Sequence, residues 1–281
     1  MNRYAAEVSY DGGKFFGWQI QPGLSTVQRS LEEAVSKING RHTPVAGAGR
    51  TDAGVHARAQ VCSFDMERPW EPRRLLLAVN AHLPEGVSLM RAAAVPGDFH
   101  ARFSAREREY RYFIWNASAI YPHIKGKACW IKPQRYDWAR AAEAAKELLG
   151  RHDFKNFCRL EGGEHSTVRE ITQIRLIDRR PLVILRIKGN GFLHNMVRII
   201  LGNLEMAALG QITPRQIKEL LDTRGSTRSD GGRTFPACGL YLWQISYDEN
   251  YGDRQDGFHA FAPRSVIKAS LYGRLYGKIT I

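Results

Sequence analysis

The chain has 281 residues and is 43% hydrophobic, enough for one large domain or two modest ones, which excludes a largely disordered chain. Lys and Arg number 41 against 28 Asp and Glu, a net charge of +13 that suits a polyanionic partner, although a merely basic surface would give the same count. Cys62, Cys129, Cys158 and Cys238 are too far apart for a zinc-type pair and too sparse for a disulfide framework, so they read as reduced thiols.

The N-terminal MNRYAAEVSYDGG has no apolar signal-like run, and no stretch approaches a membrane span. A cytoplasmic location without membrane association is expected. RYAAEVSYD (3–11) alternates as a strand. STVQRSLEEAVSKING (25–40) reads as a helix. Ser25 or Thr26 caps it, Val27, Leu31, Ala34, Val35 and Ile38 form the apolar stripe, and Gly40 ends it. Residues 55–65 read as a strand, 71–86 as a short helix with Pro72 near its start, and 87–95 as a strand. The pattern then recurs loosely. YRYFIWN (110–116) is a strand, and 136–154 is a helix capped by Asp137 and closed by Gly150. Residues 167–178 and 181–189 form a hairpin across RRP. GFLHNMVRIILGNLEMAALG (191–210) reads as a long apolar helix, 213–223 as a capped helix, and 239–249 as a closing strand. Two α/β halves are expected, meeting near Ser104. Alternating strands and helices also admit a parallel sheet, but the hairpin favours mixed or antiparallel pairing. SLYGRLYGKITI (270–281) could form a late strand.

Three stretches could carry chemistry. GAGRTDAGVHARAQ (47–60) has a glycine-rich start around Asp52. It lacks the Gly-Lys-Ser/Thr of a phosphate loop, and Asp52 holds the place of the third glycine of a dinucleotide fingerprint. Two readings stay open: a surface turn capped by Asp52, or a backbone presenting that acid with Arg50 and His56 nearby for phosphate. ARFSAREREYRYF (101–113) interleaves Arg102, Arg106, Arg108 and Arg111 with Phe103, Tyr110, Tyr112 and Phe113. That pattern suits looped RNA, and equally an ordinary strand with a basic outer face. In GNGFLHNMVRIILGNL (189–204), Arg198 lies within an apolar run, with His194 and Gly202 one turn to either side. It either snorkels to water or takes an acid from elsewhere, and Asp52 is a candidate. No HExxH, GxSxG or metal-spaced His/Cys cluster is present.

Taken together these segments resemble the tRNA pseudouridine synthase A family. GRTDAGVHARAQ matches its Asp loop, AREREYRYF its tyrosine motif and FLHNMVR its basic motif. YDGGKFFGWQIQP, TVQRSLEEA, GRHDFKNF and FPACGLYLW also match, in order, so that the resemblance spans about residues 3–247. Ile199 departs from it, standing where a polar residue is expected. The resemblance implies an α/β (α+β) fold of two RRM-like or ferredoxin-like halves with mixed, largely antiparallel sheets around a central basic cleft. Residues 1–104 would carry the Asp loop and 105–247 the Tyr and Arg motifs, leaving 248–281 as an extension of unknown role.

It also implies a homodimer that isomerises uridine to pseudouridine at positions 38, 39 and 40 of the tRNA anticodon stem-loop, with no metal and no organic cofactor. Asp52 would be the nucleophile, attacking C1′ or taking the proton there. Tyr110 would stack on the uracil, and Arg198 would pair with Asp52 to keep it ionised and oriented. Leu240 would line the pocket, and Arg50, Arg58 and His56 would contact RNA. A catalytically idle RNA-binding protein on the same fold is the rival reading, against which the intact Asp52, Tyr110 and Arg198 set speaks. A nucleotide-dependent RNA modifier is disfavoured by the missing phosphate loop.

Overall fold

Residues 1–160, 166–222 and 227–248 are described by a computed structural model of the chain. The described residues form one mixed ten-stranded sheet with five α-helices. In chain order these are β1 (Asn2–Tyr10), α1 (Val27–Asn39), β2 (Ala46–Gly47), β3 (His56–Met66), α2 (Pro72–Asn80) and β4 (Val87–Ala94). The second part supplies β5 (Ala105–Asn116), β6 (Cys129–Ile131), α3 (Trp138–Ala145), β7 (Gly150–Asp153), β8 (Val168–Arg179), β9 (Leu182–Gly189), α4 (Met196–Ala208), α5 (Pro214–Leu221) and β10 (Leu240–Tyr247).

The strand order is β4-β1-β3-β10-β5-β9-β8-β7, with β2 paired to β3 and β6 to β5. Only the β3–β10 and β5–β6 ladders are parallel, so the sheet is mixed and largely antiparallel. β10 comes late in the chain yet inserts between β3 and β5. It thereby joins the strands that precede Ser104 to those that follow it. Alternation along β5 gives the sheet its two faces. Tyr110, Tyr112 and Ile114 are buried on one, opposite Ile187, Leu185 and Val183 of β9, while Arg111 and Phe113 stand on the other and are half-buried.

Helix ends follow local chemistry. α1 closes where Gly40 takes a left-handed φ of 75°. The helix expected over 136–154 stops at Ala145, and the chain then makes a short 3-10 turn, after which β7 pairs with β8. Ladder bonds to β8 here outweigh helix propensity. The helix expected from 191 starts only at Met196. Asn195 before it holds a left-handed φ of 61°, which Asn tolerates better than most side chains, and so residues 191–195 are a loop. The strand expected within 270–281 lies outside the described residues.

Candidate active site

Asp52 lies in the crossing from β2 to β3, and the loop is pinned just ahead of it. The Thr51 carbonyl accepts the Trp18 N–H at 3.0 Å, and Thr51 Oγ1 meets the buried Tyr10 hydroxyl at 2.8 Å. Gln60 Nε2 donates to the Gly49 carbonyl at 2.7 Å. Gly17 permits the close approach of the neighbouring segment: its φ is 85°, and a Cβ there would stand 2.7 Å from the Thr51 oxygen. The turn itself is closed by the Asp52 backbone carbonyl, which accepts from Val55 N–H at 3.1 Å. The carboxylate is thereby left to face α4.

Two side chains meet that carboxylate, one from the first turn of α4 and one from the loop that enters it. Arg198 Nη1 donates to Asp52 Oδ2 at 3.1 Å, and His194 Nε2 stands 3.4 Å from Oδ1. Arg198 is itself fixed, donating through Nη1 to Asn195 Oδ1 and through Nε to the Phe235 carbonyl, each at 2.6 Å. The aromatic wall is Tyr110, 8% exposed, with the Phe192 ring edge-on at 5.1 Å. Its hydroxyl lies 3.9 Å from where a Cβ on Gly49 would be. Burial, and then the Asp52 charge, push the phenol pKa well up, so the hydroxyl stays neutral. Leu240 is buried at the start of β10, on the same sheet face as Tyr110 because it pairs with Tyr112. Arg50 is exposed on the Asp52 loop.

His56 and Arg58, expected as RNA contacts, lie apart from this group. His56 is 2% exposed and stacks on Tyr241 at 4.5 Å between centroids. Tyr241 pairs with Arg111, on the face opposite Tyr110. The His56 Nδ1 accepts from Gly12 N–H at 3.1 Å, and Nε2 lies 3.1 Å from the Gly126 carbonyl. Burial, then the Lys127 charge, hold its pKa below the usual imidazole value, which disfavours the cation that a phosphate contact would use. Arg58 lies 5.1 Å from the centroid of Trp243, a ring it shares with Arg111 at 4.1 Å. Nearness in sequence to Asp52 is undone by strand parity and pairing.

A family model described as tRNA pseudouridine synthase matches residues 6–104 and 144–248. The chain belongs to this family. A tRNA pseudouridine synthase A of Shouchella clausii (strain KSM-K16) is 41% identical over 250 residues, 89% of this chain and 95% of the relative. Those of Bacillus subtilis (strain 168) and Mesorhizobium japonicum are each 40% identical, covering 88% of this chain and 99% and 100% of theirs. A solved Cbf5-Nop10-Gar1 complex aligns over 84% of this chain and 56% of that one, at 12% identity and a TM-score of 0.32, too low to bear on the fold.

The enzyme is thus an isomerase that modifies tRNA uridines. Among its described residues, no three His, Cys, Asp or Glu side chains gather as a metal site, and no helix is long and apolar enough to cross a membrane. Sequence reasoning passed over His194, Asn195, Tyr10 and Thr51 as members of the site. A signal for Asn195 was present: an Asn directly before an apolar run reads as readily as a helix boundary as a helical residue. Nothing in the sequence marked Tyr10 as the partner of Thr51.

Proposed function

We propose that this enzyme converts uridines 38, 39 and 40 of the tRNA anticodon stem-loop to pseudouridine, with Asp52 as the nucleophile. The observation that carries the reading is the Asp52–Arg198 pair at 3.1 Å beside the buried ring of Tyr110. An Asp52 oxygen bonds to C1′ as the N1–C1′ bond breaks and its electron pair leaves with the uracil. The uracil turns, C5 bonds to C1′, and the carboxylate leaves. One proton is lost from C5 and one is gained at N1, so the product is an isomer.

A paired uridine must first leave the stem, at an unstacking cost of a few kcal/mol. Tyr110 stacks on the extruded base and offers a neutral hydroxyl. Leu240 lines the pocket, and Arg50, exposed on the same loop, takes phosphate. The halves before and after Ser104 flank the RNA, two copies of the chain form a homodimer that shares one tRNA, and the enzyme works in the cytoplasm. Carbodiimide-dependent primer extension on unmodified transcripts tests the substrate. Stops at 38, 39 and 40 are expected, and stops confined to another arm would contradict the assignment.

A further inference from the structure

Arg198 engages only one Asp52 oxygen, Oδ2, and the other faces His194 Nε2 at 3.4 Å. The imidazole is brought there by the way the chain enters α4. Phe192 packs edge-on against Tyr110, the His194 carbonyl accepts from Arg159 N–H at 3.0 Å, and Asn195 turns through a φ of 61°. These contacts fix the backbone on either side of His194, whose Nε2 lies beside the carboxylate. The two side chains are 26% and 30% exposed, which leaves their contact partly shielded from water.

We propose that His194 is a positioning residue of the isomerisation: an Nε2–H directed at Oδ1 fixes the Asp52 carboxylate opposite Arg198 and aims its remaining lone pairs at C1′. The inference rests on the reading of Asp52 as nucleophile. A carboxylate turns about its Cβ–Cγ bond in a broad torsional well, and a donor on one oxygen restrains it weakly. Donors on both oxygens fix its plane. An attacking oxygen must stand about 3–3.5 Å from its target, and misplacement by about 1 Å costs on the order of 100-fold in rate. His194 makes and breaks no bond to the substrate. The Nε2–H tautomer follows from the acceptor that this nitrogen faces.

The test uses the full chain and a tRNA transcript carrying tritium at uracil C5, read as single-turnover tritium release alongside tRNA affinity. His194→Leu should slow release about 30- to 100-fold. Its tRNA Kd should stay within about twofold of wild type, since only the attack geometry has changed. His194→Gln offers an amide donor of similar reach and should regain about tenfold of the lost rate. If thermal melting shows that His194→Leu does not fold, His194→Asn replaces it, because its shorter amide cannot span the gap and should give the same loss. Wild-type release by the Leu or Asn variant, with Asp52→Asn inactive, overturns the inference. So does a rate loss matched by an equal loss of affinity, or one that Gln leaves unrelieved. Activity in Asp52→Asn would instead overturn the reading of Asp52 itself.

Discussion

Arg198 spends its guanidinium on three acceptors, the Asp52 carboxylate, the Asn195 amide oxygen and the Phe235 carbonyl, so it is held as firmly as it holds. Preorganised donors of this kind need not reorganise as charge shifts during the reaction. Arg198→Ala is therefore expected to lower single-turnover tritium release by about 100- to 1,000-fold with RNA binding largely kept. Arg198→Lys should recover little, since a point charge replaces a planar fork. A loss below tenfold for Ala would mean that the pair is structural. Asp52, Tyr110 and Arg198 were legible because each sits in a motif that keeps its order along the chain. His194 was not, because a continuous apolar helix from 191 places it one turn from Arg198 and gives it no separate task. That His56 and Arg58 stand on the face opposite Tyr110 was not legible, because a sequence does not say which strand face turns toward the helices.

At the scale of elements, the site depends on how α4 meets the segment leading into β10. Gly202, one turn beyond Arg198, lets the Arg233 backbone approach so closely that a Cβ would stand 1.9 Å from its carbonyl oxygen. Two residues on, Phe235 supplies the carbonyl that takes Arg198 Nε. Gly202→Ala should therefore lower the Tm by several degrees, for a cost of about 1–3 kcal/mol. It should also slow tritium release, although Gly202 does not touch Asp52; a lowered Tm with full activity would break the link.

β1 and β3 are tied by Arg3 and Asp65, whose carboxyl is held below the usual range chiefly by the Arg3 hydrogen bond. A depressed folded pKa gives stability that is present above the unfolded value near 3.9 and lost as pH falls through the folded one. The Tm gap between wild type and Asp65→Asn should be widest near neutral pH, start to narrow below about pH 5 and close only below the folded pKa. A gap that persists in acid would assign the effect to packing. Most strands and helices were legible from periodicity, as were the Gly40 end of α1 and the Asp137 cap of α3, whereas Thr26 makes no side-chain capping bond and α3 ends before Gly150. β2 and β6, of two and three residues, carry no period to read. β7 was hidden because GRHD follows a strong helical run, and its strand state comes from its partner β8.

For the whole molecule, sequence order hides the join between β3 and β5, because the strand between them arrives last among the described elements. That insertion brings a loop from before Ser104 against a helix from after it, and Asp52 meets Arg198 across 146 residues of chain. With a net charge of +13, the tRNA complex is expected to depend on phosphate contacts. Raising salt from about 50 to 200 mM should weaken tRNA binding at least about tenfold, in parallel for wild type and Asp52→Asn, since phosphate contacts carry the term. A salt-insensitive complex would contradict that account.

The role of Asp52 is tested most directly by single-turnover release of tritium from uracil C5 of tRNA, comparing wild type with Asp52→Asn at protein concentrations that bind all the RNA. Release by the wild type and a fall of at least about four orders of magnitude in the variant, with tRNA affinity unchanged, is the expected result. Release by Asp52→Asn at a rate near that of the wild type would contradict it.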